Sequence, residues 1–374
     1  MSYLQRFNIR FLFQFNLKSD LRRTLFFLVL PWFISFPGEE VVGQVLKEPF
    51  VSLKRNDNER TIDVLVDGKH FTSYLWPENV YKPILYPVRT SSGTIVTRGF
   101  PIEPRQGERN DHIHQVGIWL NYGNVNGIDF WGNGYRGIRE PEGGVIEHVS
   151  FEKLTEGTGE AVIVDRCRWL DPGGKELLAE KTEYHFIARG SLRIIDRVTS
   201  LKATGGDVRM KDTKEGMFGI RIARQLELPS APDETLTLLD AEGKPFTVKG
   251  YTGNDITGNY RSSEGITGNS VWGTRARWML LYGMIGLEKI SLAVCDHPEN
   301  VNYPTFWHAR GYGLFAANPL GARDFTQGRE SLDFMIRDGE TAVFRYRVII
   351  GNGDEYLTED EINKLADDFS RLYK

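Results

Sequence analysis

The sequence contains only two cysteines, Cys167 and Cys295, and they lie far apart in the chain. Neither belongs to a Cys-x-x-Cys pair or to a Cys/His cluster, which excludes zinc-finger and thioredoxin-like sites. Each lies in a strand-like apolar run, and the pattern therefore favours two small buried residues. A single disulfide between them is the alternative.

A surplus of charge of one sign is also lacking. The 374 residues include 46 Lys and Arg and 50 Asp and Glu, giving a formal net charge of −4 with both signs interspersed. Proteins that bind nucleic acid usually carry a basic surplus or stripe, so no nucleic-acid partner is expected. An uninterrupted apolar run of about 20 residues is missing too, and no integral membrane span is expected. The sequence leaves the oligomeric state open.

The local motifs of several common catalytic sites do not occur. The chain has no G-x-S-x-G, no G-x-x-x-x-G-K-[ST], no H-E-x-x-H and no G-x-G-x-x-G opening a helix. These absences leave nucleophilic serine catalysis, P-loop nucleotide binding, zincin chemistry and Rossmann-type dinucleotide binding without local support.

The first 44 residues differ in composition from the rest of the chain. Arg22 and Arg23 precede a short apolar run at residues 24–36, which Pro31 interrupts. A positive segment followed by an apolar run of this length is typical of a signal peptide. Residues 1–44 are therefore predicted to be a signal-like or disordered segment of a secreted or periplasmic protein. A tethering anchor and an intracellular chain are the alternatives.

From about residue 48 onward the pattern is of strands joined by tight turns, and long amphipathic helices are lacking until the end. Asp67-Gly68, residues 171–174, residues 241–244 and Asp338-Gly339 each separate two apolar runs and predict four hairpins. Thr358 and Glu361 form a capping box that predicts a helix over 357–373. Residues 45–374 are therefore predicted to be one all-β domain, a large antiparallel β-sandwich with a C-terminal helix; two packed lobes are the alternative.

The segment NDHIHQVGIWLNYGNVNGIDFW, residues 110–131, is dense in groups that carry chemistry. On a strand His112 and His114 would share one face, which suits two ligands of a divalent metal or an acid and its helper. Polar histidines bonded to backbone are the alternative. Asn124, Asp129 and Trp131 follow, and amides beside an indole ring suit a sugar ligand.

The segment KDTKEGMFGIRIAR, residues 211–224, places Glu215 just before an apolar strand. A half-buried carboxylate at such a position can act as a general base. Arg221 is predicted to bind the ligand through an anionic group. A solvated turn and an arginine that coats the strand are the alternatives.

The segment CDHPENVNYPTFWHARGYGLFAANPLG, residues 295–321, contains two further histidines among aromatic and amide residues. His297 and His308 are candidate catalytic residues, and Trp307 and Arg310 are candidate ligand-binding residues. Histidines bonded within the core are the alternative. Four of the seven histidines occur in this segment and in residues 110–131, and this clustering predicts a site.

These segments, with LYPVRTSSGTIVTRGFP and GNSVWGTRARW, resemble a bacterial family labelled methane oxygenase PmoA-like, over about residues 60–350. The resemblance implies a secreted or periplasmic protein of unknown activity, linked with carbohydrate use. A particulate methane monooxygenase subunit is an integral membrane protein, and this sequence lacks its apolar spans. The fold is similar to the supersandwich of galactose mutarotases, which implies a histidine acid and a carboxylate base. His114, His297 or His308 would fill the first role and Glu215 the second.

Three functions from different classes follow. The leading hypothesis is a carbohydrate-active enzyme, either an epimerase or a lyase or hydrolase, that acts on a small sugar or an oligosaccharide by acid–base chemistry. The second is a non-catalytic glycan-binding β-sandwich. The third is an oxygenase or hydrolase whose divalent metal is held by His112 and His114, and no other cofactor is indicated.

Overall fold

The computed structural model describes residues 48–140, 142–250 and 255–374. These residues form mainly antiparallel strands. The strands of the first half are β1 Phe50–Asn56, β2 Thr61–Val66, β3 Lys69–Leu75, β4 Ile84–Leu85, β5 Ile118–Tyr122, β6 Val145–Thr155, β7 Gly157–Thr158, β8 Glu160–Leu170, β9 Glu176–Arg189 and β10 Leu192–Ala203. Those of the second half are β11 Val208–Met210, β12 Gly216–Arg221, β13 Thr235–Leu239, β14 Pro245–Lys249, β15 Asn259–Ser262, β16 Trp278–Ile285, β17 Glu288–Asp296, β18 Phe306–Ala309, β19 Leu314–Asn318, β20 Phe334–Ile336 and β21 Thr341–Gly353.

Two large sheets contain most of these strands. The nine-stranded sheet has the order β18-β19-β12-β5-β4-β3-β2-β1-β7, and the eight-stranded sheet has the order β15-β16-β17-β21-β10-β9-β8-β6. Their facing sides share one apolar core, in which the rings of Phe218 from β12 and Tyr346 from β21 stack with centroids 4.8 Å apart. This arrangement confirms the predicted large antiparallel β-sandwich.

Three of the four predicted hairpins form as the turn residues indicate. Strands β2 and β3 pair across Asp67-Gly68, β8 and β9 pair across residues 171–174, and β13 and β14 pair across residues 241–244. Gly68 has φ of 75°, the left-handed conformation that glycine adopts without a steric penalty.

The hairpin predicted around Asp338-Gly339 is wrong. Strand β20 pairs with β11 in a separate two-stranded sheet, whereas β21 pairs with β10 and β17 in the eight-stranded sheet. The turn is present, but it directs the chain from one sheet into another. Turn residues show where the chain reverses and leave open which strand becomes the partner.

The predicted side-chain periodicity and C-terminal helix are confirmed. Phe344, Tyr346, Val348 and Ile350 of β21 all lie in the core between the sheets. Two α-helices are described, α1 Ala322–Phe325 and α2 Glu359–Phe369, together with 3-10 turns at Arg224–Leu226 and Gly268–Val271. Helix α2 is shorter than the predicted 357–373. It begins at Glu359, with Thr358 as the N-cap of the capping box and Glu361 in the first turn, and it packs its apolar stripe on the outer side of the eight-stranded sheet.

Both cysteines are buried and neither is in a disulfide, which confirms their role as small buried residues. The signal-like segment at residues 1–44 lies outside the described residues, so secretion and the domain boundary near residue 45 stay predictions. No helix in the described ranges is long and apolar enough to cross a membrane.

Candidate functional site

A cavity of about 440 Å³ opens on the outer face of the nine-stranded sheet. On β19, Phe315 and Ala317 point into the sandwich core, whereas Leu314 and Ala316 pack with Trp131 in a cluster on the opposite face. The loops around β5, the start of β12 and the β18–β19 turn surround this cavity, here called the histidine pocket. It is lined by His112, His114, Gln115, Asp129, Trp131, Gly132, Arg139, Lys214, Glu215, His308, Arg310 and Tyr312.

The histidine pocket brings together residues from all three segments that the sequence indicates. They are far apart in the chain and converge because β5, β12, β19 and β18 are neighbours in the sheet. The predicted site residues that line it are His112, His114, Asp129, Trp131, Glu215, His308 and Arg310.

Four other predicted site residues do not line the pocket. Both ring nitrogens of His297 are used inside the core, where Nε2 lies 2.9 Å from the Leu372 carbonyl oxygen and Nδ1 accepts from the Glu299 N–H at 3.1 Å. Trp307 and His308 are neighbours on β18 and therefore face opposite sides of the sheet. The indole of Trp307 points into the sandwich core and donates to the Ala276 carbonyl at 3.0 Å.

The side chains of Asn124 and Arg221 hydrogen-bond to other groups of the protein itself. The Asn124 Oδ1 accepts from the Gly127 N–H at 3.1 Å and closes a turn. The guanidinium of Arg221 is fully buried and donates to Gln115 Oε1 and Asp111 Oδ1, each at 2.6 Å. Arg221 therefore lies behind the pocket wall and supports it.

His112 and His114 do not lie on a strand, the setting in which both rings would share one face, although both line the pocket. Strand β5 begins only at Ile118. His112 has φ of 45° and starts a turn, which is closed by a hydrogen bond of 2.9 Å from the Gln115 N–H to the His112 carbonyl oxygen. The two imidazole centroids are 5.8 Å apart and the rings are inclined at 76°. A left-handed conformation at a residue other than glycine occurs often at functional sites.

His112 has a carboxylate partner. Its Nδ1 lies 3.2 Å from Asp111 Oδ2, and its ring stacks on Tyr312 with centroids 4.9 Å apart and planes within 1°. A carboxylate at Nδ1 fixes the tautomer and orientation of an imidazole and leaves Nε2 for a ligand. Among the described residues no side chain or backbone group hydrogen-bonds to that Nε2.

Two buried arginines hold the loop that carries this pair. The Arg98 guanidinium donates to Asp111 Oδ1 at 2.9 Å and to the His112 and Gln115 carbonyls, each at 3.0 Å. Burial alone would raise the pKa of Asp111, but Arg221, His112 and Arg98 together lower it below its usual range. Asp111 is therefore a carboxylate at neutral pH, and it compensates the charges of two arginines.

His308 presents a proton-accepting nitrogen. Its Nδ1 lies 2.7 Å from the Lys214 carbonyl oxygen, which can only accept, so Nδ1 carries the proton. Burial lowers the pKa of His308 to about 4, and the ring is neutral at pH 7. Its Nε2 then holds a lone pair and can act as a general base. This role is the reverse of the acid role that the family resemblance implies.

The carboxylates of Glu215 and Asp129 also line the pocket, and each lies against a glycine, Gly123 or Gly132, at a distance that leaves no room for a Cβ. Glu215 pairs with the Lys214 ammonium, and a Cβ at Gly123 would lie 2.7 Å from the Glu215 Cβ. Asp129 Oδ1 accepts from the N–H of Trp131 at 2.7 Å and of Gly132 at 3.0 Å. A Cβ at Gly132 would lie 2.4 Å from Asp129 Oδ2.

The buried Lys82 links the loop that carries His114 to the loop that carries Asn133. Lys82 donates to the His114 carbonyl at 2.7 Å and to Asn133 Oδ1 at 2.8 Å. Burial lowers the pKa of Lys82 to about 7, which the nearby Asp129 opposes. Burial, with Lys82 and His112 nearby, lowers the pKa of His114 to about 2, so that this ring is neutral as well.

The aromatic part of the pocket offers an unused donor. Trp131 is almost fully buried beside Trp119 and His114, with ring centroids 5.2 and 6.4 Å away. Its Nε1 has no hydrogen-bond partner among the described residues. A buried N–H without a partner is costly, which favours a ligand or water that accepts from it.

A metal site at His112 and His114 would need further ligands. Within the described ranges, these two residues form no cluster with a third His, Cys, Asp or Glu whose ligand atoms all lie within 4.8 Å of one another. The one cluster that meets this condition there is His148, Asp165 and Cys167, away from the histidine pocket. The divalent metal stays a prediction.

Sequence reasoning did not single out Asp111, Arg98, Lys82 or Tyr312. Asp111 stands directly before His112, and its position in the histidine-rich segment was the available signal. Arg98 and Lys82 reach the site from loops elsewhere in the chain, and no local pattern marks them. Tyr312 lies two residues after Arg310, and its position in the aromatic segment 295–321 was the available signal.

The altered pKa of His308 makes the stability of the fold depend on pH. The ordinary pKa is 6.5 and the folded-state pKa about 4, so between these values the unfolded chain binds a proton that the folded chain does not. The His308 contribution to stability is therefore present above pH 6.5 and is lost as the pH falls towards 4. In urea unfolding at pH 7.5, 5.5 and 4.5, the free energy of unfolding of His308→Gln should fall less with decreasing pH than that of the wild type. An identical loss in both proteins would show that His308 titrates normally in the fold.

One family model matches most of the chain. A family model described as "Family of unknown function (DUF6807)" matches residues 61–367. No curated protein sequence matches the chain. The methane oxygenase label suggested by the sequence resemblance is not part of the family description and stays a prediction.

Two solved structures share a distant likeness. The galactosidase domain of alpha-galactosidase-sucrose kinase, AgaSK, has 9% identity and a TM-score of 0.38 over 82% of this chain and 42% of its own. GH36 alpha-galactosidase AgaB from Geobacillus stearothermophilus has 11% identity and a TM-score of 0.38 over 81% of this chain and 41% of its own. The chain thus spans about two fifths of each of these proteins.

Proposed function

The chain belongs to this family of unknown function, DUF6807, and we propose that it is a carbohydrate-active enzyme whose histidine pocket transfers protons to and from a bound sugar. The observation that carries the proposal is the Asp111–His112 pair, with Nδ1 and Oδ2 3.2 Å apart, whose imidazole lines the same pocket as His308 and Glu215. A protein that only binds glycans needs aromatic rings and amides, and has no use for an imidazole that a carboxylate orients.

The two histidines suit different halves of a proton transfer. His308 is neutral at pH 7 and can take a proton from the sugar at Nε2. When His112 takes up a proton, the carboxylate of Asp111 is placed to stabilise the imidazolium, which can then return a proton to the product. Glu215, held by the Lys214 ammonium, is a third group that can exchange a proton with the ligand. An epimerase or a lyase needs one group to remove a proton and another to supply one.

Other features of the pocket suit a sugar as the ligand. Its volume of about 440 Å³ lies in the range of small-molecule sites. Tyr312, a half-buried residue of the pocket wall, supplies apolar ring edge for the C–H groups of a pyranose. The carboxylates of Asp129 and Glu215 supply acceptors for hydroxyl groups.

Real-time proton NMR in D₂O tests this function without knowledge of the reaction. Neutral sugars and sugar acids are incubated one at a time with the protein. At least one should change its anomer ratio, exchange a carbon-bound hydrogen, epimerise or lose a bond. Glu215→Gln should slow the change by about 10²-fold or more, the lower end of general acid–base contributions.

Glu183→Gln is the matched control, because Glu183 is a half-exposed residue of β9 paired with Lys181 away from the pocket. Its rate should equal that of the wild type. Saturation-transfer signals from a sugar that the wild type binds but never changes would contradict the proposal. That result would favour a non-catalytic glycan-binding protein.

A further inference from the structure

Positive charge exceeds negative charge along the wall of the histidine pocket. Its lining includes the cations Arg139, Lys214 and Arg310 and the carboxylates Asp129 and Glu215. Lys214 and Glu215 neutralise each other through their ion pair. The uncompensated charge therefore lies mainly on the two arginines.

The Arg310 guanidinium is held in place without an anionic partner. It lies 5.7 Å from the ring centroid of Tyr312 and 5.7 Å from that of Trp272. Among the described residues its side chain has no hydrogen bond and no ion pair. Aromatic faces orient the cation, and they leave its in-plane N–H groups for a ligand.

Arg139, on another part of the pocket wall, also lacks an anionic partner among the described residues. It lies near enough to His114 to contribute to the low pKa of that ring, as Arg310 does for His308. Its guanidinium has no ion pair or hydrogen bond within the described part of the chain. By contrast, the buried Arg98 and Arg221 behind the wall both pair with Asp111, and they also donate to backbone carbonyls or to Gln115. The unpaired arginines of this region are thus the ones that face the cavity.

We propose that the ligand of the histidine pocket is an anionic sugar, a sugar acid whose carboxylate pairs with Arg310 while Arg139 adds to the attraction. This inference rests on the proposed function, since it names the class of sugar that the same pocket accepts. A guanidinium binds a carboxylate through two parallel N–H···O bonds, which gives both strength and orientation. The carboxylate on Arg310 would hold the sugar ring next to the neighbouring His308.

Calorimetric titration with matched ligand pairs tests the inference. D-galacturonate is compared with D-galactose, and D-glucuronate with D-glucose, at low and moderate salt. At least one acid should bind about 10-fold or more tightly than its neutral partner, as expected for a charge-assisted pair, and added salt should weaken this preference. Arg310→Gln should remove most of the preference by weakening binding of the acid, whereas Arg310→Lys should keep part of it.

The control variant is Arg168→Gln, which removes an exposed arginine paired with Glu147 and should preserve the preference. Thermal unfolding checks that each variant is folded. Equal binding of acid and neutral sugar to the wild type would overturn the anionic ligand and leave the proposed sugar site intact. Absence of binding and of turnover with every sugar would overturn both.

Discussion

Replacing His112 by glutamine is expected to lower kcat by about 10²–10⁴-fold on the sugar that the wild type converts, the usual contribution of a group that transfers a proton in the transition state. Glutamine fills similar space and can still hydrogen-bond to Asp111, but it cannot carry a proton between substrate and solvent. The change should appear in kcat with little effect on KM, because the interaction lost is one made in the transition state. Steady-state kinetics by NMR or by a coupled assay measures both parameters.

His185→Gln is the matched control for this experiment. His185 lies on β9 and pairs with Glu160, away from the histidine pocket. Its removal should leave kcat and KM unchanged. A His112→Gln protein that keeps wild-type kcat would show that the Asp111–His112 pair is structural and that proton transfer, if it occurs, uses other residues.

Replacing Asp111 by alanine is expected to lower the free energy of unfolding by about 3 kcal/mol, the low end for breaking a buried ion pair. Asp111 is one third exposed, but its partners Arg98 and Arg221 are 1% and 0% exposed. Burial and the neighbouring Arg221 already lower the pKa of Arg98 to about 9, so the two guanidinium groups are poorly compensated without this carboxylate. Urea unfolding at pH 7 measures the loss.

Glu147→Ala provides the comparison, because it breaks an ion pair with Arg168 that is exposed on both sides. An exposed pair contributes about 0–1 kcal/mol, so this variant should remain close to the wild type. The double variant Asp111→Ala/Arg221→Met should recover part of the lost stability, since it also removes one of the two buried charges. Equal stabilities of Asp111→Ala and Glu147→Ala would show that Arg98 and Arg221 are satisfied by carbonyl groups and Gln115 alone.

Local signals predicted most of the fold. Turn residues such as Asp67-Gly68 located three hairpins, alternation placed Phe344 and Tyr346 in the core, and the Thr358–Glu361 capping box located the helix. Each depends on residues that are close in sequence. The hairpin at Asp338-Gly339 failed because the choice of β10 and β17 as partners of β21 is decided by contacts far away in the chain.

The site could be predicted as a group of segments better than as a set of residues. The clustering of histidines, aromatics and amides located residues 110–131 and 295–321, and both contribute to the pocket. The face of each side chain depends on strand register, which separates His308 from its neighbour Trp307. The support from Arg98 and Lys82 could not be predicted, since buried networks join residues that no spacing rule connects.

The central claim is that one sugar lies against the acid–base groups of the histidine pocket. A crystal structure of His112→Gln soaked with the tightest-binding sugar acid tests this most directly, since the inactive variant should hold the ligand unchanged. The account predicts a sugar ring in the histidine pocket, its carboxylate on Arg310, and a reacting atom within hydrogen-bond reach, about 2.6–3.2 Å, of His308 Nε2 or one water from it. A ligand bound elsewhere, or bound here with His308 and Glu215 turned away from it, would contradict the account.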